Sequence, residues 1–244
     1  MFSLRDQIAL ITGASRGLGR ALAIEFAKQG AQLVINSRAS SAADLRETEA
    51  LVRALNAPVL SVIADVSQRA DVGRLAGEAL ARFGRVDILV NNASALGPTP
   101  MPFLADTPIE EFENVLRTNV TAPFMLTRAV IGQMLARGSG SIINVSSDAG
   151  AVGYPTWGAY GISKAALDHE TRVWAAELEG TGVRINGVDP GDMDTAMKRA
   201  SEPDGDASQW AKPETVTQVF VYLASKEAAE ISGKRLLAQQ FGVA

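Results

Sequence analysis

The chain has 244 residues, 47% hydrophobic and 20% charged, the balance of an ordinary folded domain and not of a disordered or collagen-like chain. Its 23 basic and 27 acidic residues leave a net charge of −4, so no electrostatic argument favours nucleic acid or a membrane surface, and a small-molecule partner is expected. The absence of cysteine excludes disulfides and thiolate chemistry; with no signal-peptide pattern and no apolar run near the ~20 residues of a membrane span, a cytoplasmic location is expected.

Short runs rich in Val, Ile and Leu predict strands at 7–12, 31–36, 59–64, 86–91, 141–146 and 183–188. They are nearly continuously apolar, as strands buried on both faces of a parallel sheet must be. Helical spacing over 17–29, 70–83 and 121–137 supplies covering helices, and a helix over 214–224 precedes a last apolar stretch, 234–241, that predicts an edge strand. With no internal repeat or low-complexity linker, this order predicts a single α/β domain over 1–244. Its architecture is a doubly wound Rossmann-type parallel sheet with helices on both faces. Residues 192–213 break the rhythm with Pro203, Gly205, Pro213 and several acids; following a strand's carboxyl end, they are expected to form a mobile substrate flap, the alternative being a solvated loop.

The first strand runs into Thr12-Gly13-Ala14-Ser15-Arg16-Gly17-Leu18-Gly19 and then a helix. Closely spaced glycines let backbone approach a pyrophosphate, and a helix N-terminus offers it free N–H groups and positive dipole. The spacing, Gly-x3-Gly-x-Gly, differs from the Gly-x-Gly-x-x-Gly fingerprint, but the strand–helix junction is where such a loop belongs. At the end of the second strand an acid would suit NAD, whereas Asn36-Ser37-Arg38 offers a guanidinium for the 2′-phosphate of NADP, with Arg16 as a second. The alternative is that both arginines are solvated surface charges.

Tyr160 and Lys164 lie four residues apart, on one face if the segment is helical. An ammonium about 4 Å away at an effective dielectric near ~20, helped by an oxidised nicotinamide, is of the size needed to bring a phenol from a pKa of ~10 toward 7. Such a pair is also a common helix-surface arrangement. Ser147, at the end of the fifth strand, is suited to hydrogen-bond a carbonyl oxygen as charge grows on it, or equally to cap a helix. His169, nine positions past Tyr160, falls on the opposite helix face, and no cluster of metal ligands is evident, so no metal is expected.

In combination and order these motifs resemble the short-chain dehydrogenase/reductase family in its shorter, one-domain form, from Gln7 to about Leu223. The resemblance implies catalytic roles for Ser147, Tyr160, Lys164 and Asn119, the last holding a water that links Lys164 to solvent. It implies an NADP(H) site built from Gly13, Ser15, Arg16, Gly17, Leu18, Gly19, Ser37, Arg38, Asp65, Val66, Asn92, Ala93, Tyr160, Lys164, Pro190, Gly191, Met193 and Thr195. Asp65-Val66 matches the pair that touches adenine, and Asn186 through Pro190-Gly191 and Thr195 the segment that holds the nicotinamide carboxamide. Ser94 stands where the family usually has glycine, and Leu236 to Phe241 replaces its paired-glycine ending.

The expected reaction is reversible, NADPH-dependent reduction of a ketone or aldehyde to an alcohol, with Tyr160 as proton donor; the alternative is a non-enzymatic NADP-binding regulator. Ala95, Leu96, Val152, Tyr154, Trp157, Met193 and Met197, with Trp210 on the flap, are candidates for an apolar substrate pocket; Tyr154 and Trp157 could instead pack structurally or at a subunit contact. A homo-oligomer is expected, as a dimer through the helices at 121–137 and 158–179 or as the family's usual tetramer.

Overall fold

The computed structural model describes residues 2–242. Seven strands, β1 (Ile8–Ile11), β2 (Gln32–Ser37), β3 (Val59–Ile63), β4 (Ile88–Asn91), β5 (Gly140–Val145), β6 (Val183–Asp189) and β7 (Arg235–Leu237), form one sheet in the order β3-β2-β1-β4-β5-β6-β7. Every pairing is parallel. Within β1, Ala9 and Ile11 enter one core and Leu10 the other; β2 divides Leu33 and Ile35 from Val34, and β4 divides Ile88 and Val90 from Leu89, in the same way. Both faces are therefore buried, and the period of two disappears into a continuous apolar run.

The crossovers are α1 (Gly17–Lys28), α2 (Ala42–Ala54), α3 (Arg69–Phe83), α4 (Ile109–Leu116), α5 (Ala122–Arg137), α6 (Gly158–Glu177), α7 (Ala196–Ser201) and α8 (Gln218–Ala224). Leu22 and Phe26 of α1 and Phe220 of α8 fill one core; Leu75 of α3 and Leu126 and Val130 of α5 fill the other. Because β2 lies on one side of β1 and β4 on the other, the strand order reverses there. A crevice opens at their carboxyl ends, where ligands bind in open α/β sheets.

The structure departs from the sequence reading in four places. Helices α2 and α4 were not among the expected helical spans: α2 buries Leu45 and Val52 but leaves Leu51 and Leu55 exposed, and α4 fully buries Val115 alone. The helix expected from residue 214 begins at 218, after one 3₁₀ turn started by Pro213. Of the last apolar stretch only Arg235–Leu237 pairs with the sheet, and Ala238–Gln240 curl into a 3₁₀ turn. The segment 192–213 has internal structure that its sequence did not announce. It contains α7, a backbone bridge between Met193 and Ala211, and ion pairs from Lys198 to Asp192 and Glu202 and from Arg199 to Asp194. No helix among the described residues is long and apolar enough to cross a membrane.

Candidate active site

A cleft of about 720 Å³ runs along the carboxyl ends of the strands, within the size range of small-molecule sites. The glycine loop forms its floor at β1. The Thr12 hydroxyl accepts the amides of Asn92 and Ala93, both at 3.0 Å, and the Asn92 side chain donates to the Thr12 and Gly13 carbonyls at 2.8 and 3.1 Å. The loop is thereby pressed onto the exit of β4. A Cβ at Gly13 would stand 2.8 Å from the Ala93 Cα, and one at Gly19 would fall on the Gly13 carbonyl. Helix α1 then starts with Arg16 extended at its N-cap, no side-chain cap and no acid in its first turn, which leaves its positive end for a ligand. Arg16 and Arg38 are exposed on the cleft wall, and neither has a carboxylate partner among the described residues. Asp65 and Val66 line the same end.

At the opposite end, Tyr160 and Lys164 sit one turn apart on α6. Lys164 is 2% exposed; its Nζ donates to the Val145 carbonyl at 2.7 Å and lies 5.4 Å from the Tyr160 ring centroid. Burial pulls the Lys164 pKa down to about 8, against the opposing carboxylates of Asp168 and Asp189. Tyr160 is partly open to the cleft, but protein encloses its hydroxyl enough that burial pushes its pKa up to about 12; the hydroxyls of Ser147 and Ser94 act the other way. In the protein alone, burial and the carboxylates of Asp189 and Asp148 thus act against the lowering expected from Lys164 with an oxidised nicotinamide beside it.

The Lys164 shift has a thermodynamic consequence. The unfolded chain titrates this lysine near 10.5 and the folded chain near 8, so between these values the unfolded state binds more protons and stability rises with pH. In denaturant titrations, wild type should gain about 2 kcal/mol relative to Lys164→Met between about pH 7 and 9.5. A pH-independent difference would contradict a buried, depressed lysine.

Ser147 resolves the choice between cap and cleft residue by being both. Its Oγ accepts the Ala149 amide, capping a 3₁₀ turn over Asp148–Gly150, while the side chain lines the cleft and donates to Asp148 Oδ1 at 3.1 Å. Asn119 is not on the cleft wall. It sits in a π-turn, Arg117–Thr121, where its side chain accepts from Ala95 N and Ser94 Oγ and donates to Ala95 O and Ser163 Oγ. It thus ties the exit of β4 to α6, and its side chain is fully engaged without touching Lys164. All the other catalytic and cofactor residues expected from the sequence line the cleft, Pro190, Gly191, Met193 and Thr195 included.

Residues 7–206 match the family model described as short chain dehydrogenase. The chain belongs to the short-chain dehydrogenase family. It is 33% identical over 244 residues to the 3-oxoacyl-(acyl-carrier-protein) reductase FabG of Thermotoga maritima, covering 95% of each chain. It is 36% identical over 225 residues to the 2-(R)-hydroxypropyl-CoM dehydrogenase of Xanthobacter autotrophicus, covering 91% of this chain and 85% of that one. A short chain dehydrogenase of Shigella flexneri 2a, solved in complex with NADP, superposes with a TM-score of 0.89 at 28% identity over 96% of this chain and 98% of the other. This short-chain dehydrogenase is accordingly an oxidoreductase with a Rossmann-type fold, from a family that binds nicotinamide cofactors.

Several residues of this short-chain dehydrogenase escaped the sequence reading. Asp148 accepts from both Ser147 and Tyr154, the latter at 3.0 Å, and Asp189 lines the cleft at the end of β6. Their signal was available: each is a carboxylate at the carboxyl end of a core strand. Lys198 was harder to anticipate, its Nζ lying 5.9 Å from the Trp157 ring and 5.6 Å from the Trp210 ring, between residues distant in sequence. Of the expected pocket residues, Ala95, Leu96, Trp157, Met193 and Met197 line the cleft, while Val152, Tyr154 and Trp210 do not. His169 is exposed, as its helical phase requires.

Proposed function

We propose that this short-chain dehydrogenase reduces a ketone or aldehyde to an alcohol, reversibly, with NADPH preferred over NADH. The observation that carries the reading is one cleft with two complementary ends: an uncapped helix start near two guanidiniums that have no carboxylate partner among the described residues, and a phenol beside a serine and a buried lysine. The residues fit a dinucleotide: the glycine loop leaves space for backbone to meet phosphate, Arg16 and Arg38 suit a 2′-phosphate, and Asp65 and Val66 flank an adenine position. The NADP-bound Shigella relative supports the choice of phosphate form.

When bound, the dinucleotide supplies the hydride in reduction and accepts it in oxidation. The chain's own work is proton transfer and orientation. Tyr160, protonated at neutral pH, gives its proton to the substrate oxygen, and Ser147 holds that oxygen by a hydrogen bond. Lys164 supplies positive charge beneath the phenol and lowers the cost of the phenolate left behind. Asn119 fixes the Ser94–Ala95 backbone against α6. The wall formed by Leu96, Trp157, Met193 and Met197 favours an apolar or aromatic substituent on the carbonyl carbon.

A panel of aldehydes and ketones followed by NADPH absorbance, with NADH in parallel, tests the reading. Turnover of several aromatic members with NADPH, at least about tenfold above NADH, is expected. Silence across the panel together with tight NADPH binding would favour a regulator that senses the cofactor.

The α5–α6 face supports self-association. Phe124, Leu135, Ile162 and Val173 are exposed, and Phe124 lies 6.1 Å from Trp174 across the two helices. We assign this face to a second copy of the chain. Sedimentation should give a dimer or larger, and Phe124→Glu should shift it toward monomer.

A further inference from the structure

The turn that follows β6 is held from behind by the end of the chain. Asp189, the last residue of β6, accepts the Gly191 amide on Oδ1 at 2.9 Å and the Arg235 guanidinium on Oδ2 at 2.7 Å. The Arg235 Nε lies 3.3 Å from Asp168 Oδ2 on α6, one turn past Lys164, so one guanidinium serves two carboxylates whose side chains are 7% and 9% exposed. From the 3₁₀ turn after β7, Gln239 Nε2 donates to the Pro190 carbonyl at 3.1 Å and the Asp192 carbonyl at 3.0 Å. Gly191 has φ +68°, and a Cβ there would stand 2.5 Å from Gln239 Nε2. Three backbone polar groups of a four-residue turn are thus engaged, directly or through Asp189, by two side chains that do not themselves line the cleft, whereas Pro190, Gly191 and Asp192 do.

We propose that Arg235 and Gln239 are positioning residues that clamp the 189–192 turn against the nicotinamide half of the bound cofactor. The inference rests on the functional reading above and adds to it a role for the atypical carboxyl-terminal segment. A turn carrying Gly191 at positive φ would sample more arrangements if its carbonyls and amide were free; fixing them removes that freedom before a ligand arrives. The contact set is local. Arg16, Arg38 and Asp65 lie across the sheet at β1 to β3, so loosening the clamp should leave the adenosine end intact. Asp168 brings α6 into the same arrangement, which links the turn to the helix that carries Tyr160 and Lys164.

The test compares two probes by calorimetry: NADPH, and ADP-ribose 2′-phosphate, which lacks the nicotinamide ring. Arg235→Met and Gln239→Leu should each weaken NADPH about 5- to 20-fold while leaving the fragment within about twofold. Arg235→Lys, which keeps a charge toward Asp189, should lose less than Arg235→Met. Gln239 is on the exposed terminal turn, so Gln239→Leu decides the matter should Arg235→Met fail to fold. Equal loss for both probes would show general destabilisation and overturn the clamp, as would unchanged binding of NADPH. Wild-type protein that binds neither probe would overturn the functional reading and this inference together, a result distinct from any difference among variants.

Discussion

Tyr160→Phe should lower turnover by at least about 10³-fold and leave NADPH affinity within a few-fold of wild type. The ring keeps its place: it meets Trp157 edge-on at 5.7 Å, and the Lys164 ammonium lies over its face, contacts that phenylalanine reproduces. What disappears is the hydroxyl that shares a hydrogen bond with Ser147 and that burial keeps protonated. A loss of 10³ corresponds to about 4 kcal/mol of transition-state stabilisation, within the range for removal of a positioned general acid. Steady-state rates and cofactor titrations on the two proteins measure both quantities. Turnover above about a tenth of wild type would mean that the proton comes from elsewhere and would remove the central chemical assignment.

Arg38→Ala should weaken NADPH about 30-fold and NADH less than twofold. Arg38 follows β2 directly and stands exposed with no carboxylate partner among the described residues. Near the surface, an interaction with a doubly charged phosphate about 4 Å away in water-like dielectric is about 2 kcal/mol, which sets the expected ratio. Screening gives a second check: the discrimination should shrink as salt rises, because the Debye length falls from about 10 Å at 0.1 M to about 3 Å at 1 M. Arg16→Ala should act in the same sense, and the double variant should bind both coenzymes alike. Equal weakening of NADPH and NADH by Arg38→Ala would dismiss the phosphate role.

The strands were legible because burial on both faces writes them as unbroken aliphatic runs, and six of the seven fall within a residue or two of the expected spans. The seventh was overextended. Leu236 to Phe241 looks like a strand, but only three residues find a partner before Gln239 turns back toward the Pro190 carbonyl. Helices α2 and α4 lay outside the expected spans, although α4 carries Ile109, Phe112, Val115 and Leu116 at helical spacing, so its signal was present in the sequence. At the site, local motifs announced the glycine loop and the Tyr160–Lys164 pair. The upward pull of burial on Tyr160 was not legible, since it depends on how much protein surrounds the hydroxyl, a quantity fixed by elements far apart in the chain. Asp189 and Arg235 were hidden for the same reason, their partnership joining positions 46 residues apart.

The strand order also constrains synthesis. β1 is made first yet ends in the middle of the sheet, with β2 and β3 added on one side and β4 to β7 on the other. While a ribosome has delivered only the first three strands, the β4-facing edge of Ile8–Ile11 is an open row of peptide groups on wholly apolar residues. It stays open for roughly 25 further residues, a few seconds at ordinary elongation rates. The nascent chain is therefore most prone to wrong pairing with its neighbours on a polysome during that interval, and slowing translation between β3 and β4 should raise the yield of aggregates.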